Sequence, residues 1–311
     1  MANTHLTRRA FLQAAAVVGF SLPLAGHAQE IVERGLFTER DVPFACDELL
    51  KLLNDERRAA GLNVLELDPL ACKVAAEHAR DMATGHFISH WGSDGRKPYH
   101  RYSFAGGVDA VQENASATDG VQSLAVPGIL AELRERHQSM LAEVPPHDGH
   151  RKTILDPYHT HVGFGIALNG RSLRLDELYL ARYIHLAPFT NAAKPKSTVV
   201  LEGRLINAQH FLHQVDVFYE PLPTPPSLEW LNTWRSVGLP DEHKTLRPKV
   251  PPGTYYTDGS LGDFDWNRKG TFKVKVKMFR DEPGIYTALF WVRRDQTDKG
   301  FPGAEVCILS Q

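Results

Sequence analysis

Three segments in the first half of the chain have the hydrophobic spacing of amphipathic helices. Apolar residues recur every three or four positions in segments 41–61, 68–85 and 127–144, which is the period of a helix with one buried face. The second segment opens with the helix-capping residue Asp68, followed by Pro69 in the first turn. The pattern therefore predicts three helices, each packed through one face.

Two segments that follow these helices have strand-like patterns. Residues 161–168 and 175–186 alternate β-branched or aromatic residues with small or polar ones. Helices followed by strands are typical of an α+β domain. We place this domain at residues 41–188.

The last part of the chain predicts an all-β domain. From Thr271 to Met278 every second residue is apolar, and lysines occupy the positions between them. Similar runs, separated by turn residues, occur at 197–206, 211–219, 284–293 and 304–309. We expect an immunoglobulin-like β-sandwich at residues 197–311, joined to the first domain by an aperiodic linker at 189–196.

The first 28 residues have the features of an export signal. Arg8 and Arg9 precede an apolar run that ends at Leu24, and small residues follow up to Ala28. The apolar run is shorter than a membrane span requires. We predict a twin-arginine signal peptide at residues 1–28, an N-terminal extension at 29–40, and a periplasmic or secreted mature protein without a transmembrane segment.

Composition narrows the range of partners. The 311 residues carry a net charge of -2 at pH 7, so the chain lacks the basic field that nucleic-acid binding requires. We expect no nucleic-acid partner. None of the three cysteines forms a CxxC pair. Cys46 and Cys72 fall on the first two predicted helices, so a disulfide between them stays open, but a protein folded before export cannot depend on it.

Histidines are concentrated in the first domain. Eight of the 15 histidines lie between His86 and His161, and imidazole is both a common zinc ligand and a common general base. The HExxH signature of zinc proteases is absent. His137 falls on the apolar face of the third predicted helix, which favours a hydrogen-bonded core histidine. The concentration as a whole indicates a site in this domain.

Five short motifs follow one another through the same domain. They are His86-Phe87-Ile88-Ser89-His90, Asp94-Gly95-Arg96 with Arg101, Glu113-Asn114-Ala115, Gly149-His150-Arg151 and Val162-Gly163-Phe164-Gly165. In order and spacing they resemble the CAP superfamily, which includes the cysteine-rich secretory proteins, antigen 5 and plant pathogenesis-related proteins, and above all its bacterial branch. The resemblance covers about residues 45–186 and implies an α-β-α sandwich with a central cleft.

The resemblance also implies that two histidines and two acidic residues line the cleft. Transferred residue by residue, it assigns His90, Glu113 and His150 to three of these positions. The second acidic residue is Glu143, although the family's Trp-x-x-Glu motif matches here only at the glutamate. Glu132 and Glu135, on the preceding turns, are alternatives.

This set of four residues is compatible with zinc chemistry. Two neutral imidazoles can hold a zinc ion, and nearby carboxylates can orient its water, which makes His90 and His150 candidate Zn²⁺ ligands. Catalytic zinc usually has three protein ligands, so we expect weak binding. The alternative is that His90, Glu113 and His150 form a hydrogen-bonded network that fixes the loops around the cleft.

Two functions are consistent with these residues. In the first, the protein is an exported cell-envelope binding module whose cleft takes a lipid or a cell-wall fragment, since the sequence suggests no nucleophile–base–acid triad. In the second, it is a zinc-assisted, peptidase-like hydrolase with Glu113 or Glu143 as the general base. A third arrangement leaves the function to the β-sandwich, which would bind a glycan or another envelope protein. We expect the first.

Overall fold

The computed structural model describes residues 35–260, 262–267, 269–295 and 297–311. The predicted signal peptide and the first half of the N-terminal extension lie outside the described residues. Within the described ranges, no helix is long and apolar enough to cross a membrane.

Five α-helices lie in the first half of the described chain. They are α1 (Val42–Ala59), α2 (Pro69–Gly85), α3 (Pro98–Phe104), α4 (Val126–Leu141) and α5 (Gly149–Ile154). The three predicted helices are confirmed as α1, α2 and α4. Asp68 caps α2 by accepting a hydrogen bond from the Ala71 N–H at 2.7 Å. The other two helices are too short for hydrophobic periodicity to reveal them.

A four-stranded sheet lies between these helices. Its strands are β1 (Glu66–Leu67), β2 (Ala110–Asp119), β3 (His161–Asn169) and β4 (Ser172–Ala181), in the spatial order β1-β3-β4-β2. β4 pairs antiparallel with β3 and β2, and β1 pairs parallel with β3. The sequence pattern does not predict β2, because its residues are mostly small or polar. This strand forms one edge of the sheet.

Helices cover both faces of this sheet. On one face, α2 packs its alanines and Val74 against Leu178 and Leu180 of β4. On the other face, α1 and α4 pack against Val162 and Phe164 of β3. The arrangement confirms the predicted α+β class and the α-β-α layers.

Two glycines allow α2 to approach the sheet closely. A Cβ atom built at Gly165 would lie 2.1 Å from the backbone of Ala75, and one at Gly163 would lie 2.3 Å from the backbone of Ala71. Since real Cβ atoms do not approach other atoms this closely, both positions require glycine. The Val-Gly-Phe-Gly motif thus packs its large residues on one face of β3 and the helix on the other.

Residues 184–311, called the β region below, contain two further sheets. The strands are β5 (Ile184–Leu186), β6 (Ala192–Ala193), β7 (Thr198–Leu205), β8 (Phe211–Pro221), β9 (His243–Leu246), β10 (Asp265–Trp266), β11 (Thr271–Lys277), β12 (Gly284–Arg293) and β13 (Phe301–Ser310). One sheet has the order β10-β11-β7-β5 and the other β6-β13-β12-β8-β9. Side chains from both sheets form one hydrophobic cluster.

Five strands of the β region correspond to predicted runs, namely β7, β8, β11, β12 and β13. In β11 the apolar residues are buried and the lysines are exposed, as the alternation predicts. The run predicted as one strand at 175–186 is two strands in different sheets, because the chain leaves the first sheet after Ala181. Within the segment predicted as linker, β6 pairs parallel with β13.

The three cysteines are free thiols. Cys46 is buried, and its Sγ lies 3.7 Å from the carbonyl oxygen of Phe164. Burial, reinforced by the neighbouring Cys72, raises the pKa of the Cys46 thiol to about 12. This thiol is therefore protonated and unreactive at neutral pH.

Candidate functional site

The edge strand β2 presents Glu113 and Asn114 to opposite faces of the sheet, because successive residues of a strand alternate. Glu113 lies on the α2 side, where its Oε1 is 4.0 Å from Nε2 of His78. Asn114 lies on the α5 side, and its Nδ2 donates to the carbonyl oxygen of His150 at 3.1 Å. The edge of β2 therefore connects the two histidine-bearing segments.

The loop after α2 carries His90. It begins at His86, whose left-handed φ of 55° ends the helix. His90 Nδ1 lies 3.0 Å from Oε1 of Glu113. Arg101 of α3 donates to the other oxygen of Glu113 and, at 2.9 Å, to the carbonyl oxygen of His90. Glu113 is thus held by a histidine and an arginine from two separate segments.

Arg101 sets the charge of Glu113. Burial alone would raise the pKa of this carboxyl, but the guanidinium of Arg101 and the neighbouring histidines lower it to about 2. Glu113 is consequently ionised at neutral pH, and both of its oxygens accept hydrogen bonds.

Two buried groups behind Glu113 complete this side of the site. Single ligand atoms of His78, Glu113 and Asp176 lie within 4.8 Å of one another. Burial, and then the charge of Glu113, raise the pKa of Asp176 well above its usual value. Burial and Arg101 lower the pKa of His78 to about 4, so this ring is neutral. The guanidinium of Arg101, which is paired with Glu113, opposes the binding of a cation by this trio.

The second histidine, His150, is paired with Glu143. Its Nδ1 hydrogen bonds with Glu143 Oε1 at 2.5 Å, and its backbone N–H donates to Oε2 at 3.0 Å. The other two glutamates have different partners. Glu132 accepts a hydrogen bond from Thr118 at 2.6 Å, and Glu135 pairs with Arg136. Of the three glutamates considered from the sequence, Glu143 is the one beside His150.

Both candidate zinc ligands have the same local arrangement. Because a carboxylate oxygen accepts the bond at Nδ1 in His90 and in His150, Nδ1 carries the proton and Nε2 of the neutral ring carries the lone pair. That is the tautomer of a metal ligand with a carboxylate behind it. Among the described residues, however, no trio of histidine, cysteine and acidic side chains with ligand atoms within 4.8 Å contains both histidines.

A cavity of about 740 Å³ joins the two histidine–glutamate pairs. All four residues named from the sequence line it, namely His90, Glu113, Glu143 and His150. The β region supplies a second wall, formed by residues 234–239 together with Leu289, Pro302 and Glu305. No sequence pattern predicts this wall, because the residues that form it are far apart in the chain.

The long connection between β8 and β9 anchors that second wall on the first domain. Trp230 packs edge-on against Trp91, with ring centroids 5.1 Å apart. The side chain of Asn232 bonds to the Ile88 N–H and to the carbonyl oxygen of His86, both at 3.3 Å. The loop that carries His90 is therefore clamped from outside by the β region.

Strand β8 makes a further polar contact between the two regions. Oε2 of Glu220 lies 2.6 Å from Lys97 Nζ, and its Oε1 accepts from the Tyr99 hydroxyl at 3.0 Å. His100 Nε2 also lies 3.0 Å from Oε1. Both carboxylate oxygens of Glu220 therefore contact side chains of α3 or of Lys97, the residue that precedes this helix.

His137 is a core residue outside the cavity. Its Nδ1 lies 2.6 Å from Glu177 and its Nε2 lies 2.8 Å from Glu56. Burial lowers the pKa of this ring, but the two carboxylates outweigh burial and raise it to about 10. The hydrogen-bonded core histidine expected from the sequence is confirmed.

Comparison with known proteins identifies the first domain. Residues 50–181 match the family model for the cysteine-rich secretory protein family, CAP. This part of the chain is a CAP domain. The match includes His90, Glu113 and His150, so the cavity lies between the CAP domain and the β region. No curated protein matches the chain.

Several solved structures are similar to the CAP domain. An outer surface protein from Borrelia burgdorferi is 19% identical, with a TM-score of 0.37, over 48% of this chain and 97% of its own. An extracellular SCP-domain protein from Bacillus anthracis is 21% identical, with a TM-score of 0.36, over 48% of this chain and 45% of its own. The CAP domain of Enterococcal PrgA is 13% identical, with a TM-score of 0.35, over 51% of this chain and 71% of its own.

Proposed function

We propose that this protein is an exported cell-envelope binding module whose cavity takes a small lipid or cell-wall-derived ligand. The observation that carries the proposal is the composition of the cavity walls. The CAP wall presents two histidine–glutamate pairs, and the facing wall presents Val237, Leu239 and Leu289. A cavity of about 740 Å³ lined by both polar and apolar side chains suits a small amphipathic molecule.

Export is the other part of this proposal. It is supported by Arg8, Arg9 and the short apolar run that follows them in the sequence. The CAP domain is consistent with a role in the envelope. In the cell envelope, the cavity would meet lipids and cell-wall fragments.

The state of Glu113 favours binding over hydrolysis. A general base works best with a pKa near the operating pH and with an oxygen free to take a proton. Glu113 has a pKa of about 2, and Arg101 and His90 occupy its two oxygens. Its arrangement is that of a structural carboxylate. A hydrolase would have to use Glu143 instead, whose two oxygens also bond to His150.

Zinc would at most be a weakly held ion, because no group of three close ligand atoms among the described residues includes His90 or His150. His90 and His150 would hold it through Nε2, with Glu113 and Glu143 as the carboxylates that orient the two rings. A bound ion would supply a Lewis acid within the cavity. The protein's own part is to orient both rings through the carboxylate at Nδ1.

Calorimetry on the purified protein separates these functions. Lipid and wall-fragment libraries are titrated into the wild type and into His90→Ala and His150→Ala, with His147→Ala as the control, since His147 also lines the cavity but pairs with no glutamate among the described residues. We expect ligand binding that the first two variants weaken and the control retains. Zinc is titrated into the same four proteins.

A turnover assay tests the alternative function, a zinc-assisted hydrolase. Substrate cleavage that Glu143→Gln abolishes while zinc binding persists would establish the hydrolase and reject the binding module. Absence of any ligand for the wild type would also reject it.

A further inference from the structure

One acidic residue in the wall formed by the β region has no role in the function proposed above. Glu305 lies on β13, is 4% exposed and lines the cavity. Its Oε2 accepts a hydrogen bond from the Val111 N–H at 3.3 Å. Within the described part of the chain, no side chain bonds to this carboxyl group. A buried carboxyl at a cavity wall with an oxygen left over is a candidate ligand contact.

The surroundings of Glu305 keep it neutral. An ionised carboxylate at this depth would need a cation, and no described lysine, arginine or histidine pairs with it. Glu220 of β8 is the charged group that acts on it, and the cation beside Glu220 is Lys97. Burial and the charge of Glu220 raise the pKa of Glu305, and the hydrogen bond from the Val111 N–H lowers it. The resulting pKa is about 8.

A neutral carboxyl group pairs with a particular kind of ligand group. Its O–H group donates one hydrogen bond, which matches the carbonyl oxygen of a secondary amide, while its other oxygen accepts from the Val111 N–H. An ammonium group would instead have to ionise Glu305 and lose its own hydration. The side chains nearby are apolar, with Leu239 and Leu289 in one cluster with Ala110. They would pack against a methyl group attached to that amide.

The same cavity has an exposed aromatic ring. Trp234 lines the cavity and is 81% exposed, and among the described residues no ring or cation contacts its indole. An unused indole face at a cavity rim suits the apolar face of a sugar ring. The CAP wall opposite adds polar groups, including Gln112 and Asn114, for hydroxyls.

We propose that the cavity takes an N-acetylated amino sugar, with its acetamido group paired to the Glu305 carboxyl and its ring against Trp234. This inference rests on the proposed function, since it names the chemical class of the wall-derived ligand. It also gives the β region a direct part in recognition.

Calorimetry with N,N′-diacetylchitobiose, and with the free-amine disaccharide chitobiose, tests the proposal. At pH 6.5 the wild type should bind the acetylated sugar at least about tenfold more tightly, because chitobiose lacks the amide and its methyl. Glu305→Leu should lose about tenfold or more, because the hydrogen bond to the acetamido carbonyl disappears. Trp234→Ala, which replaces an exposed side chain and leaves the core intact, should lose several-fold.

Glu305→Gln is the decisive variant. Its amide also offers one donor and one acceptor, so it should bind the acetylated sugar within about threefold of the wild type. Binding to the wild type should weaken above pH 8, as Glu305 loses its proton, whereas binding to the Gln variant should stay constant from about pH 6.5 to 9. Circular dichroism melts of each variant check the fold.

The outcomes distinguish this inference from the function on which it rests. Unchanged binding by Glu305→Leu, or tighter binding of chitobiose that Glu305→Gln abolishes, would overturn the acetamido assignment. If diacetylchitobiose does not bind but a lipid does, the inference is rejected and the binding module stands. If neither class binds, both are rejected.

Discussion

Trp230 of the β region packs edge-on against Trp91, the residue that follows His90, with the ring planes at 84°. Arg235 lies over the Trp230 ring, with its guanidinium carbon 4.5 Å from the centroid. The position of a histidine in the CAP domain is therefore tied to an aromatic contact made by the second part of the chain. The shape of the cavity therefore depends on both regions.

Trp230→Ala should destabilise the protein by about 1 to 3 kcal/mol, because it removes a partly buried aromatic anchor. It should also weaken ligand binding, since the loop that carries His90 loses its outer support. Urea unfolding and calorimetry measure the two effects. The control for stability is Trp234→Ala, whose side chain is 81% exposed and should change stability by less than about 0.5 kcal/mol. Equal stability of the two variants would contradict the anchoring role.

The two walls of the cavity differ in how far the sequence predicts them. Periodicity reveals long helices and strictly alternating strands, so α1, α2, α4 and β11 are predictable. Motif order then leads to His90 and His150. Periodicity cannot detect β2, since an edge strand that carries a site alternates polar with small residues rather than polar with apolar ones.

The sequence does not predict the residues packed behind the site, for a different reason. His78 and Asp176 lie among other polar residues of α2 and β4, and sequence spacing does not tell which of these residues meet. Glu305 reaches the cavity only because β13 packs beside α3 and β2. Such contacts depend on how separate regions dock, and no local pattern encodes that.

Replacing Arg101 should be costly, because Glu113 would be left as a buried, unpaired charge. We expect Arg101→Leu to destabilise the protein by about 3 to 5 kcal/mol. Arg96→Leu is the matched control on the preceding loop, since Arg96 is half exposed and its ion pair is with the exposed Asp94; it should cost less than about 1 kcal/mol. Denaturant unfolding at pH 7 compares the two variants, and similar losses would argue against a special role for Arg101.

Glu113 should also affect acid stability. Its pKa is about 2 in the folded protein and near 4.3 when unfolded. Because the folded value is the lower one, its contribution is complete above the unfolded pKa and is lost as the pH falls through 2. The wild type should therefore lose about 3 kcal/mol relative to Glu113→Gln between about pH 5 and pH 2. Parallel stability curves for the two proteins would show that Glu113 is not ionised in the way described.

His137 should remain charged far into the alkaline range. Its pKa is about 10 in the folded protein, above the unfolded value of about 6.5. Its contribution to stability is therefore complete below about pH 6.5 and is lost as the pH rises through 10. An NMR titration of the ring protons should show a transition near pH 10. A transition near the unfolded value would contradict the pairing with Glu177 and Glu56.

The close contact between α2 and β3 predicts a strict requirement for glycine. In Gly165→Ala the new methyl carbon would overlap the backbone of Ala75, 2.1 Å away, so the helix must move outward. We expect a loss of about 1 to 3 kcal/mol. Because α2 also carries His78 and leads into the loop with His90, that movement should weaken ligand binding as well. Gly35→Ala, where a Cβ would meet nothing within 4 Å, is the control, and an unfolding midpoint for Gly165→Ala as high as that of the control would refute the close packing.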